Sequence, residues 1–169
     1  VTLTEDGEPV KMSTRKANYI TLDELIDEVG QDVVRYFFIM RGMNTHLNFD
    51  MVLAKNESDE NPVFYLQYAH ARLCNILKHA EEQGHIFNKK TDLSPLNLDS
   101  EIQLIKLLLE FPNIIRKAKD NLEPQTIATY LQSLAGLFHR YYAKERVVTD
   151  DKNKTSPRLI LVHALQIVL

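Results

Sequence analysis

From Asn61 to the last residue, apolar side chains recur at three- and four-residue intervals, broken only by short polar stretches that carry glycine or proline. That spacing puts them on one face of successive α-helices, so this part of the chain has to bury its apolar surface by packing helix on helix. Asn61-Pro62 supplies an N-cap and a first-turn proline for a helix to about residue 83, stopped by Gly84. A loop containing Pro95 leads to a helix capped by Asp99, which Pro112 is expected to kink or interrupt. Glu123-Pro124 opens a third helix to about residue 148, and Ser156-Pro157 a fourth that runs to the final residue. Five glycines and no tryptophan in 169 residues suit this architecture better than a loop-rich β protein.

The first sixty residues read differently. Apolar and polar positions alternate around Asp6-Gly7, which predicts a small β-hairpin. A polar loop over 13–18 follows. Thr21 is the N-cap of a short helix over 22–29, with Glu24 completing a capping box. Gly30 ends that helix and Asp32 opens another, to about residue 40. Residues 44–60 lack helical period and close in a polar run over 55–60, the one convincing boundary. The fold class expected is therefore all-α: a helical bundle over 59–169, preceded over 1–58 by a short β-hairpin, a loop and two short helices. Both ends read as cut, the start in mid-strand and the last residues still in helical period.

Composition removes several functions. With a formal net charge of -3 the chain has no global basic field, although a local basic surface remains open. A single cysteine, Cys74, excludes an internal disulfide framework and a cysteine-based zinc cluster. The histidines do not sit at metal-ligand spacing, so no metal site is expected. The longest apolar stretch, 159–169, is broken by His163 and Gln166 and is too short to span a bilayer. No leader segment is visible. A soluble, cytoplasmic, monomeric chain without membrane attachment is the expectation.

Three segments carry chemistry. Lys11, Met12, Ser13, Thr14, Arg15 and Lys16 place three cations on one loop, a pattern that suits a polyphosphate and equally a solvated basic loop. In the helix over 61–83, Leu66, Ala69, Leu73, Ile76, Leu77 and Ala80 form one apolar stripe. Roughly opposite lie Tyr68, Arg72, Asn75 and His79, with Tyr65 beside them. Aromatics beside a guanidinium offer stacking surfaces and a phosphate partner to an unstacked RNA loop, or else pack on another helix. At the end of the third helix Arg140, Tyr142, Lys144 and Arg146 again mix cations with an aromatic. Ile127, Leu131, Leu134, Phe138 and Tyr141 on that helix read as core.

The residues 11–16 resemble the KMSKS signature loop of class I aminoacyl-tRNA synthetases, matching at Lys11, Met12, Ser13 and Arg15 and departing at Thr14 and Ala17. The context is more specific. The stretches 21–30, 32–37, 46–50, 61–72, 134–142 and 146–147 resemble the C-terminal part of arginyl-tRNA synthetases, in order and over essentially the whole chain. The resemblance implies that residues 1–58 form the trailing edge of the catalytic domain and 59–169 the helical anticodon-binding, or DALR, domain. It implies roles for Lys11, Ser13 and Arg15 at ATP phosphates, and for Tyr65, Tyr68, Arg72, Arg140, Tyr142 and Arg146 at tRNA. The parent enzyme would join arginine to its tRNA through an arginyl-adenylate, using ATP with magnesium. The chain alone lacks the nucleotide-binding fold and is expected to be inactive and to bind no cofactor. Two alternatives stay open: a helical protein–protein interaction module, and the related end of another class I enzyme such as the cysteinyl synthetase.

Overall fold

The computed structural model describes residues 1–5, 7–10, 19–85, 88 and 90–169. Among them are seven helices and a three-stranded sheet, so the all-α expectation holds with the strands confined to the first fifty residues. Packing divides the chain into two compact units, one of residues 1–65 with 117–129 and one of 66–116 with 130–169. No helix among the described residues is long and apolar enough to cross a membrane.

In the first unit, β1 (Thr2–Glu5) turns into β2 (Glu8–Pro9) with Thr4 facing Pro9 and Glu5 facing Glu8. Gly7 takes the positive φ of 81° that the turn requires. A third strand, β3 (Asn48–Asp50), adds to the other edge of β1 in parallel, with Leu3 beside Phe49. The sequence reading left this segment without structure. Its three residues are too few to show a period, and their partner lies far back along the chain. Phe49 is fully buried against Phe37, with ring centroids 5.1 Å apart, in a core that also holds Leu25, Val34 and Val63.

Thr21 caps α1 (Leu22–Val29) with the expected reciprocal box: its hydroxyl accepts from the Glu24 N–H, and the Glu24 carboxylate accepts from the Thr21 N–H. Gly30, at φ 88°, closes α1 and is itself the N-cap of α2 (Gln31–Ile39). Asp32, expected to open this helix, lies in its first turn, one residue after its start at Gln31, where a carboxylate favours the helix dipole. Asp50 ends β3 and caps α3 (Met51–Lys55), its Oδ1 accepting from the N–H groups of Val52 and Leu53 at 3.0 Å each. Asn61 starts α4 (Pro62–Glu82) as expected, accepting from the N–H groups of Val63 and Phe64.

The second unit is built from residues 66–82 of α4, 99–116 of α5 (Asp99–Asn121), 130–142 of α6 (Gln125–Tyr142), and α7 (Lys152–Val168). Its core contains Ala69, Leu73, Ile76 and Ala80 from α4, Leu104 from α5, Leu134 and Phe138 from α6, and Leu159, Val162 and Leu165 from α7. Each such large side chain removed from water contributes roughly 1.5–3 kcal/mol before entropy is counted.

Two helix ends differ from the sequence reading, and a third helix is not interrupted at the proline that was expected to kink or interrupt it. Helix α5 continues through Pro112, because a proline removes one hydrogen bond while the turns on either side keep theirs. Helix α6 stops at Tyr142, six residues short of the expected Val148. Its closing turn is tight: the Lys144 and Glu145 N–H groups both reach the Tyr141 carbonyl. Helix α7 begins at Lys152 and not at Ser156-Pro157, because Asp151 caps it by accepting from the Asn153 N–H, and Pro157 is buried inside the helix.

Candidate nucleic-acid interface

In the second unit a 100° rotation per residue separates the buried stripe of α4 from a face that carries Tyr68, Arg72, Asn75 and His79. Leu73 and Ala69 hold one side in the core, and on the other Tyr68, Asn75 and His79 are exposed and Arg72 is half-buried. The last turn of α6 meets this face with Tyr142, whose ring rests 5.9 Å from that of the fully buried Phe138. Residues 143–148, released from the helix, form the remaining wall. Together these residues line a groove of about 860 Å³.

Three of the lining side chains, Tyr68, Arg72 and Tyr142, form a row that His139 continues behind the groove. The Arg72 guanidinium lies 4.4 Å from the centroid of the Tyr68 ring and 4.9 Å from that of Tyr142. One of its nitrogens donates to the Tyr68 hydroxyl. The Tyr68 ring stacks in turn on His139, centroids 5.6 Å apart and planes 17° from parallel. A guanidinium between two phenol rings gains a cation–π contribution from each and holds both rings at a defined spacing. Tyr68 remains 45% exposed, so the row lies open to solvent. Lys144 and Arg146 add charge along the wall. The groove is therefore locally basic on a chain whose net charge is -3.

Beneath the wall lies a buried ion pair. The Arg158 Nε donates to Glu101 Oε1 at 2.8 Å, Nη1 donates to the Arg146 carbonyl at 2.7 Å, and Nη2 lies 3.3 Å from Glu145. Glu101 is fully buried and also accepts from the Tyr141 hydroxyl at 3.3 Å and the Leu98 N–H at 3.1 Å. Burial pushes the Tyr141 phenol well above its usual range, opposed by the Arg158 charge and reinforced by Glu101. It therefore stays a neutral donor.

Of the residues singled out from sequence, Tyr68, Arg72, Tyr142 and Arg146 meet at the groove. Arg140 does not line it. That side chain is exposed on a separate shallow cavity of about 580 Å³, with Lys106 and Glu110. Tyr65 belongs to the first unit and is half-buried. Lys11, Ser13 and Arg15 lie outside the described residues. Sequence reasoning missed His139, whose ring extends the stack, and the structural role of Glu101 and Arg158. A signal for His139 existed, since it stands three residues before Tyr142 on one helix. Nothing local links Glu101 to Arg158. Among the described residues no group of three or more His, Cys, Asp or Glu could hold a metal ion.

Comparison with known proteins gives this geometry a family. Residues 66–169 match the DALR anticodon binding domain. Over its whole length the chain is 49% identical to the arginine–tRNA ligase of Salinibacter ruber and 48% identical to that of Heliobacterium modesticaldum. It spans only 30% and 31% of those two proteins. Among solved structures, a Campylobacter jejuni protein assigned as an arginyl-tRNA synthetase superposes with a TM-score of 0.79 at 35% identity, over 98% of this chain and 36% of that one. Thermus thermophilus arginyl-tRNA synthetase gives 0.70 at 26% identity, over 92% and 26%. The chain belongs to the DALR anticodon binding domain family, and its full length is similar to a part of arginine–tRNA ligases.

Proposed function

We propose that this chain is the tRNA-binding C-terminal portion of an arginine–tRNA ligase, and that the groove on its second unit receives the anticodon loop. One observation carries the reading: Arg72 held between the rings of Tyr68 and Tyr142 on an otherwise acidic chain. An unpaired base would stack on such a row, and Lys144 and Arg146, which line the same groove, would serve the phosphates that flank it. Residues 59–169 would then be the anticodon-binding domain and residues 1–58 the trailing edge of the catalytic domain.

In the parent enzyme arginine would react with ATP, carrying magnesium, to give arginyl-adenylate, and the arginyl group would pass to the tRNA. Lys11, Ser13 and Arg15 would serve at the ATP phosphates, two cations and a hydroxyl being a donor set that suits a polyphosphate. Resemblance to the family further suggests that the first step needs tRNA, which would couple the groove to catalysis. Tyr65 and Arg140 would make contacts with tRNA outside the groove. The enzyme would act in the cytoplasm as a monomer.

The reading is tested by competition. An isolated anticodon stem–loop of an arginine tRNA should displace the whole transcript from the chain, and an acceptor stem–loop of equal length should not. Equal displacement by both would remove the anticodon assignment.

A further inference from the structure

We infer that Arg158 is the positioning residue of the RNA groove, setting the place of Arg146 without touching RNA itself. The inference rests on the RNA reading of the groove and goes beyond it, since Arg158 lies below the wall and not in it. Its side chain is 11% exposed, and three of its nitrogens are already engaged.

The geometry shows how the effect is transmitted. One planar guanidinium holds a carboxylate on α5, a carboxylate on the wall and the backbone carbonyl of Arg146. The carbonyl is the informative contact, because it fixes the backbone from which the exposed Arg146 side chain projects. Val147, 2% exposed, pegs the next residue into the core. Further along, the Thr155 hydroxyl donates to the Thr149 carbonyl at 2.9 Å and accepts from the Thr149 N–H at 2.9 Å. The segment after α6 is thus tied to α7 at two places, and Arg158 is the tie at the groove.

Glu101 anchors the arrangement. Its carboxylate bonds both Arg158 and Tyr141, the neighbour of Tyr142, so one buried group sets both the last turn of α6 and the wall that follows. A lysine at 158 would keep the charge but not the fork, since a single ammonium cannot reach two carboxylates and a carbonyl in these directions. A free segment of that length would sample many conformations and lose entropy on each binding event.

The test is a double-mutant cycle on the 169-residue chain, with an arginine tRNA transcript at fixed salt and helicity followed by circular dichroism. Arg158→Lys should weaken RNA binding roughly fivefold or more alone, and by less than about twofold when Arg146→Ala is already present. The salt dependence of the single variant should become shallower by about one charge equivalent. Equal losses in both backgrounds would mean a merely structural role and overturn the inference, as would an unchanged affinity.

Should Arg158→Lys lose its helicity, Glu145→Ala removes only the partly exposed arm. Positioning predicts weaker RNA binding for that variant. Simple removal of a negative charge from the groove predicts stronger binding, and that result would overturn the inference. Failure of the unaltered chain to bind RNA would instead overturn the RNA reading itself.

Discussion

The Arg72 guanidinium rests 4.4 Å from the ring centroid of Tyr68, one helical turn before it on α4, and the same group lies 4.9 Å from Tyr142 on α6. A planar cation between two rings is specific to arginine, since lysine offers a point charge without a stacking face. Arg72→Lys should therefore weaken binding to an arginine tRNA almost as much as Arg72→Ala. Tyr142→Leu, which keeps apolar bulk against Phe138, should cost about 1–3 kcal/mol of RNA affinity, the usual worth of one base–aromatic stack. Filter-binding titrations at constant salt read both; unchanged affinity in either variant would detach the row from RNA.

Asn61 connects two helices through one buried side chain. Its Oδ1 caps α4, while its Nδ2 donates to the carbonyls of Ala54 at 3.1 Å and Asn56 at 2.9 Å. Asn61→Ala should lower stability by about 1–3 kcal/mol, because buried backbone groups lose their partner. Asn61→Asp keeps the capping oxygen yet turns an acceptor toward two carbonyls, so it should be no better than alanine. Urea denaturation of the two variants decides this.

Helices α4 and α5 end in the same way with different residues. After α4 the Gly84 N–H reaches the Glu81 carbonyl and the His85 N–H reaches Ala80. After α5 the Leu122 N–H reaches Lys119 and the Glu123 N–H reaches Ala118. This double bond pattern needs a left-handed residue at its centre. Gly84 meets that need at φ 76°, while Leu122 is forced to φ 56° and is 71% exposed. Leu122→Gly should therefore raise stability, by about 1 kcal/mol at most. A lowered denaturation midpoint would mean that the left-handed backbone at Leu122 carries no strain for glycine to relieve.

Tyr130 predicts an alkaline limit. Burial pushes its phenol from 10.0 up to about 12, and its hydroxyl donates to the Leu107 carbonyl at 3.0 Å. Between pH 10 and 12 the unfolded chain gives up this proton while the folded chain keeps it, so stability falls as pH rises through that window. Below pH 10 the contribution is fully present. Tyr130→Phe should make the decline shallower while lowering stability near neutrality through the lost hydrogen bond. Thermal melts in steps of pH measure both effects.

How far the sequence revealed these features depends on how local they are. The capping box of Thr21 and Glu24, the Asn61 cap and the buried stripe of α4 are written in residues a turn apart, and all were legible. The early end of α6 was not, because residues 143–148 keep helical composition and are held instead by Arg158 of α7 and by the burial of their own Val147. Strand β3 was hidden likewise, its partner lying at the start of the chain. For the groove, spacing placed Tyr68 with Arg72, but only folding brings Tyr142 to the same guanidinium and leaves Arg140 elsewhere.

A groove that reads an anticodon has to distinguish the base at its centre. Every arginine anticodon has cytosine at its centre, so the direct measurement is the affinity of the chain for an arginine tRNA transcript and for one altered only at that base, at one salt concentration. Changing that base should lower affinity by roughly tenfold or more, in line with about 1–3 kcal/mol for a misread base. Equal affinity for the two transcripts, or no binding to either, would contradict anticodon reading by the groove.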